Sequence, residues 1–97
     1  MATQSRTNPP KRRRITFNIQ AAPGSTVSVA GDFNQWNVNG KLLKDKENNG
    51  HFSGSMLLEP GRYEYKLIIN GKWSLDPACS DTAKNDCGTL NNVLNIT

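Results

Sequence analysis

Apolar and polar positions alternate in short runs along this chain, and turn residues interrupt the runs about every ten positions. No stretch carries a helical period, so the pattern predicts an all-β sandwich. Ile15, Phe17 and Ile19 alternate with Thr16 and Asn18, and Ala22-Pro23-Gly24-Ser25 then turns the chain into Thr26 to Ala30, where Val27 and Val29 alternate. Both runs are expected to be half-buried strands. A loop carrying Phe33 and Trp36 leads to a short polar-flanked segment from Lys41 to Lys44. Asn48-Asn49-Gly50 then turns into His51 to Leu58, where Phe52, Met56 and Leu58 share a parity with Gly54 between them. Residues 76–90 hold Pro77, Gly88 and many small polar residues and are expected to form a long loop. Asn92 to Ile96 closes the domain, with Leu94 and Ile96 on one face.

The most informative run is PGRYEYKLIINGKW, residues 60–73. Pro60-Gly61 opens it and Asn70-Gly71, a strong hairpin turn, ends it. A two-residue loop pairs Ile69 with Lys72, Ile68 with Trp73, Leu67 with Ser74 and Lys66 with Leu75. Alternation puts Tyr63, Tyr65, Leu67 and Ile69 on one face, the core face, and Glu64, Lys66 and Ile68 on the other. Trp73, opposite Ile68, falls with Lys66 on the face away from the core. An indole there either caps the outer surface of a small sheet, as lone exposed hydrophobes do, or binds something.

Ninety-seven residues make one domain with one core. No apolar run is long enough to span a membrane. The N-terminal residues lack an apolar stretch after their basic positions, so they do not read as a secretory signal, and a cytoplasmic location is the expectation. The net charge of +4 is unevenly placed: Arg6, Lys11, Arg12, Arg13 and Arg14 give the first fourteen residues +5, which leaves the rest at −1. A near-neutral domain speaks against nucleic acid as its ligand. Residues 1–13 are expected to be a disordered, solvated basic lead-in and residues 14–97 the folded domain. The other reading of the lead-in, a phosphate-contacting arm, would be strongly salt-sensitive.

Nothing in the chain assembles a catalytic set. His51 is the single histidine, has no sequence-local partner and begins a strand, where a surface position is expected. A glycosidase needs two carboxylates fixed about 5 to 10 Å apart across a cleft. Asp32, Asp76 and Asp86 lie in loops, no pattern converges them, and a sandwich of this size is expected to offer little cleft. Cys79 and Cys87 lack the paired spacing of a zinc or redox motif. They are expected to be reduced thiols, with a bridge pinning the 76–90 loop as the other reading. No metal or cofactor is called for.

Three motifs taken together say more: GDFNQW at 31–36, PGRYEYKLIINGKWSLDP at 60–77 and GTLNNVLNI at 88–96. In this order and spacing they strongly resemble the glycogen-binding domain family, carbohydrate-binding module family 48. That fold is shared with the early set domain of isoamylase and branching enzymes and with the β subunit of AMP-activated protein kinase. The resemblance runs from residue 14 to residue 96. It implies an immunoglobulin-like β-sandwich of early set type that binds α-1,4-linked glucans such as glycogen, starch or maltooligosaccharides without catalysis. A glucan-metabolising enzyme or kinase subunit is an implied protein partner. Carried over by position, the implied sugar contacts are Trp36, Lys66, Trp73, Thr89 and Asn91. The family's loop-tip leucine falls at Cys87, a departure that removes a hydrophobic wedge and leaves Cys87 as a loop contact. Asp32 is expected to be structural, bonding its own backbone at a turn. The alternative function is a protein-interaction or targeting module that docks a partner through the same aromatic face.

Overall fold

The computed structural model describes residues 11–97; residues 1–10 of the expected lead-in lie outside the described residues. The domain is all-β, an immunoglobulin-like sandwich of two sheets. Strands β1 (Arg13–Gln20), β2 (Val27–Gly31), β3 (Lys41–Leu42), β4 (His51–Leu58), β5 (Gly61–Ile69), β6 (Lys72–Ser74), β7 (Thr82–Lys84) and β8 (Leu90–Ile96) follow in order. β1 and β4 form a two-stranded antiparallel sheet, and the other six form a sheet of order β3-β2-β5-β8-β7 with β6 also on β5. β1 takes in Arg13 and Arg14, and the Arg13 guanidinium donates to the Thr97 carbonyl at 3.0 Å.

The alternating side chains of the two sheets meet as expected from their parity. Phe17, Ile19 and Phe52 from the small sheet pack on Val27, Val29, Tyr65 and Leu67 from the large one, with Leu43 buried among them. Phe17 meets the Tyr65 ring edge-on, with centroids 5.3 Å apart. Leu43 is placed by a change of sheet. Lys41 and Leu42 pair with β2, while Lys44 bridges to Ser53 of β4, so the short segment closes one side of the sandwich.

The hairpin register is the predicted one at three positions: Leu67 with Ser74, Ile68 with Trp73 and Ile69 with Lys72. Asn70 and Gly71 form its turn with φ of 52° and 81°. The fourth expected pair, Lys66 with Leu75, is absent because β6 ends at Ser74. The chain turns inward there: Asp76 N–H donates to Asn92 Oδ1 at 2.7 Å, and Tyr65 O–H donates to Asp76 Oδ2 at 2.8 Å. One side of β5 is lined by β2 and the other is shared, with β8 along Gly61–Tyr65 and β6 along Leu67–Ile69. Lys66 therefore stands where one neighbouring strand gives way to the other.

Three further expectations are corrected. β2 is buried on both faces rather than half buried, because residues 35–40 fold over its outer side and Val38 O accepts from Ser28 Oγ at 2.7 Å. The segment 76–90 is not all loop, since Thr82–Lys84 pairs with β8. The closing strand begins at Leu90, two residues before the apolar alternation starts.

Candidate functional site

The outer face of β5 carries an open cleft of about 760 Å³. The GDFNQW segment builds one wall. Gly31 has no room for a side chain, since a Cβ there would come within 2.5 Å of the Glu64 carbonyl oxygen and 2.7 Å of Tyr65 Cβ. That close approach presses the end of β2 onto β5. Asn34 folds the segment back, accepting from Gly31 N–H (3.0 Å) and donating to the Val29 carbonyl (3.1 Å). Gln35 and Trp36 both take left-handed backbone angles, φ 56° and 58°. Such angles are costly for side-chain-bearing residues and need surrounding contacts to hold them. Here Trp36 N–H reaches the Gly31 carbonyl at 2.9 Å, and the indole N–H donates to Asp32 Oδ1 at 3.0 Å. Asp32 is structural, though it does not bond its own backbone as expected: its Oδ2 accepts the Glu64 N–H at 2.8 Å and ties the wall to β5.

Trp73 faces this wall. Its ring centroid lies 6.4 Å from that of Trp36, with the planes tilted by 49°. The capping role of the indole is visible, and the cap is incomplete. Trp73 shields its cross-strand neighbour Ile68, which is only 8% exposed, yet it remains 50% exposed itself.

The opposite wall is the 85–89 loop, organised by Asn85. Asn85 Oδ1 accepts from the N–H groups of Cys87 (3.0 Å) and Thr89 (3.1 Å), and Nδ2 donates to Thr89 Oγ1 (2.7 Å) and Asn91 Oδ1 (3.1 Å). Both donors and both lone pairs of this amide are thus engaged. From the floor, Lys66 Nζ donates to Thr89 Oγ1 at 3.1 Å, and Asn91 Nδ2 donates to Glu64 Oε1 at 2.9 Å. Cys87 sits exposed at the loop tip; both cysteines are free thiols.

Trp36, Lys66, Trp73, Thr89, Asn91 and Cys87 all line this one cleft. Asp32, Glu64, Lys84, Asn85 and Asp86 line it too. Parity alone put Glu64 beside Lys66, so it was within reach of the sequence; the loop residues carried no comparable signal. Three carboxylates do converge here, contrary to the expectation that loops would scatter them, and the cleft is larger than expected. Glu64 among them is poorly suited to act as a glycosidic general acid. A general acid needs a raised pKa, whereas hydrogen bonds from Asn91, and then from Arg62, hold the Glu64 carboxyl below its usual value of 4.5. Asp76 is buried away from the cleft under Tyr65. His51 is exposed at the start of β4, beside Asn18 at 3.1 Å. No described helix is long and apolar enough to cross a membrane.

Residues 14–97 match the family model described as the glycogen recognition site of AMP-activated protein kinase. The rice Protein FLOURY ENDOSPERM 6, chloroplastic (Oryza sativa subsp. japonica), is 33% identical over 84 residues, 87% of this chain and 15% of that protein. The human 5'-AMP-activated protein kinase subunit beta-2 is 27% identical over 88 residues, 91% of this chain and 31% of that subunit. Protein PTST homolog 2, chloroplastic, of Arabidopsis thaliana is 43% identical over 53 residues, 55% of this chain and 10% of that protein. The chain thus spans less than a third of the length of these relatives, and the part they share with it is a recognition module rather than a catalytic domain. With a match from residue 14 to its last residue, the chain belongs to the family of glycogen recognition sites of AMP-activated protein kinase.

Proposed function

We propose that the chain binds α-1,4-linked glucans (glycogen, starch or maltooligosaccharides) without catalysis, in the cleft between Trp36 and Trp73. The observation that carries this reading is the tilted indole pair beside Lys66, Thr89 and Asn91. Glucose has apolar C–H faces and polar edges, so indoles cover faces while side-chain donors meet hydroxyls. Two planes at an angle suit a curved α-1,4 chain better than a flat β-linked one. Cys87 is a loop contact without the apolar reach of a leucine. If each indole removes about 80 to 100 Å² of apolar surface from water, it contributes roughly 2 kcal/mol. Ordering a flexible oligosaccharide offsets much of this, giving a dissociation constant on the order of 0.1 mM. Useful affinity then comes from polymeric ligand or a multivalent assembly.

Titration with maltoheptaose, followed by tryptophan fluorescence, tests the reading; no response at millimolar sugar would sink it. Kinase-subunit relatives favour a second role, docking to a glucan-metabolising enzyme or kinase subunit. Leu75 and Leu90, 39% and 44% exposed beside Trp73, extend the apolar surface available for that. Absence of any response to millimolar maltoheptaose, together with binding of such an enzyme or subunit that Trp73→Ala abolishes, would favour it. Two free thiols suit a reducing compartment, the cytoplasm in this reading, although two relatives are named as chloroplastic.

A further inference from the structure

A bound glucose offers a proton from every hydroxyl, and each needs an acceptor. The side chains that sequence places in the cleft are short of acceptors. Lys66 donates only. Thr89 Oγ1 already accepts from Lys66 at 3.1 Å and from Asn85 at 2.7 Å, which occupies both of its lone pairs and leaves its O–H as a donor. Asn91 is 6% exposed, and its carbonyl oxygen already accepts from Asn85.

Glu64 differs. It stands on the outer face of β5 one alternation from Lys66 and lines the same cleft. Its Oε1 accepts from Asn91 and its Oε2 from Arg62, each at 2.9 Å, so the carboxylate is held in one orientation. Those two bonds use about half of the lone-pair directions of a carboxylate, and the side chain keeps 23% of its surface exposed. We propose that Glu64 is a further sugar-contacting residue, its carboxylate accepting the protons of a vicinal pair of glucose hydroxyls on the cleft floor, an inference that rests on the glucan reading above. Asp32 also has lone pairs to spare, but it holds the Trp36 indole, so its removal would disturb stacking as well. The carboxylate is ionised at neutral pH, and the bonds that orient it lower its pKa further, so it is a stronger acceptor than a neutral amide or hydroxyl.

The test is calorimetric titration of maltoheptaose into the wild-type chain, Glu64→Gln, Asn91→Ala and the double variant at pH 7, with thermal unfolding to verify the fold. Glu64→Gln is expected to weaken binding about fivefold to tenfold, and by a smaller but still measurable factor in the Asn91→Ala background, where Arg62 alone still orients the carboxylate. Glu64→Asp, which keeps the charge but withdraws it by one methylene, is the second variant and loses affinity too. An unchanged affinity in Glu64→Gln would overturn the inference. So would an effect that vanishes once Asn91 is gone, since Glu64 would then act only by holding Asn91. If the wild-type chain itself fails to bind, the glucan reading falls and this inference with it; if it binds and only the variants disagree, the glucan reading survives.

Discussion

Asn91 and Asn92 are adjacent in β8, and the sheet sends their side chains to opposite faces with different consequences. Asn92 is fully buried. Its Oδ1 accepts from Asp76 N–H at 2.7 Å, and its Nδ2 donates to the carbonyls of Asp76 and Cys79, each at 3.3 Å. Tyr65 O–H closes the inner network on Asp76, and burial followed by that hydrogen bond pushes the Tyr65 phenol far above its ordinary pKa. Asn91 is almost as buried, but its partners Glu64 and Asn85 lead outward to Thr89 and Lys66 at the cleft. The inner network ends on itself and fixes a loop. The outer one ends on groups that still have hydrogen-bonding capacity, and capacity left over at a surface is what a ligand can use.

The largest effect expected is on the inner side. Asn92→Ala strands the buried Asp76 N–H and should cost about 2 to 3 kcal/mol in stability, measured by the urea midpoint. Sugar affinity of the folded protein should stay within about twofold. A parallel loss of affinity would show that the two networks are not independent.

Trp73→Ala should give the converse. Binding to maltoheptaose is expected to weaken at least tenfold, about 1.4 kcal/mol, while exposure of Ile68 costs no more than about 1 kcal/mol in stability. If the domain instead unfolds, Trp73 is a core residue and the division between faces is wrong. Asn85→Ala comes next. It frees Thr89 and Asn91 without removing either, so affinity should fall about threefold to fivefold, with amide shifts confined to residues 85–91. Shifts spreading to Asp76 or Cys79 would join the two networks.

The inner half of this comparison was mostly legible in sequence and the outer half only partly. Period-two alternation marks Phe17, Ile19, Val27, Val29, Tyr65 and Leu67 as core, and the Asn70-Gly71 turn sets which face Trp73 takes. Alternation fails where burial is polar. β8 starts at Leu90, but Asn91 and Asn92 are polar and buried, so apolar spacing hides its first turn of pairing. β7 is three residues long and is defined by its partner strand rather than its own composition. The end of β6 at Ser74 depends on Asn92 capturing Asp76 from sixteen residues away, which no local propensity records. Register and family resemblance located Trp36, Lys66, Trp73, Cys87, Thr89 and Asn91, and parity put Glu64 beside Lys66, whereas the hydrogen bonds by which Asn85, Asp32 and Glu64 hold the cleft are tertiary and became visible only with coordinates.

The smallest effect concerns how the outer network is held. The Glu64 carboxyl lies below its ordinary pKa of 4.5 chiefly through the Asn91 hydrogen bond, with Arg62 second. A depressed carboxyl stabilises the folded state fully above its unfolded pKa, and the contribution is lost as pH falls through the folded value. Arg62 is 54% exposed at the side chain, so its 2.9 Å ion pair with Glu64 is well solvated. Arg62→Ala should therefore change stability at pH 7 by less than about 0.5 kcal/mol. It should also raise the Glu64 titration midpoint less than Asn91→Ala does, as followed by carboxyl carbon NMR. The reverse order would make the exposed arginine the principal anchor of Glu64. The outer network would then hang on an exposed surface pair rather than on β8, and the contrast between Asn91 and Asn92 as anchors of the two networks would fail.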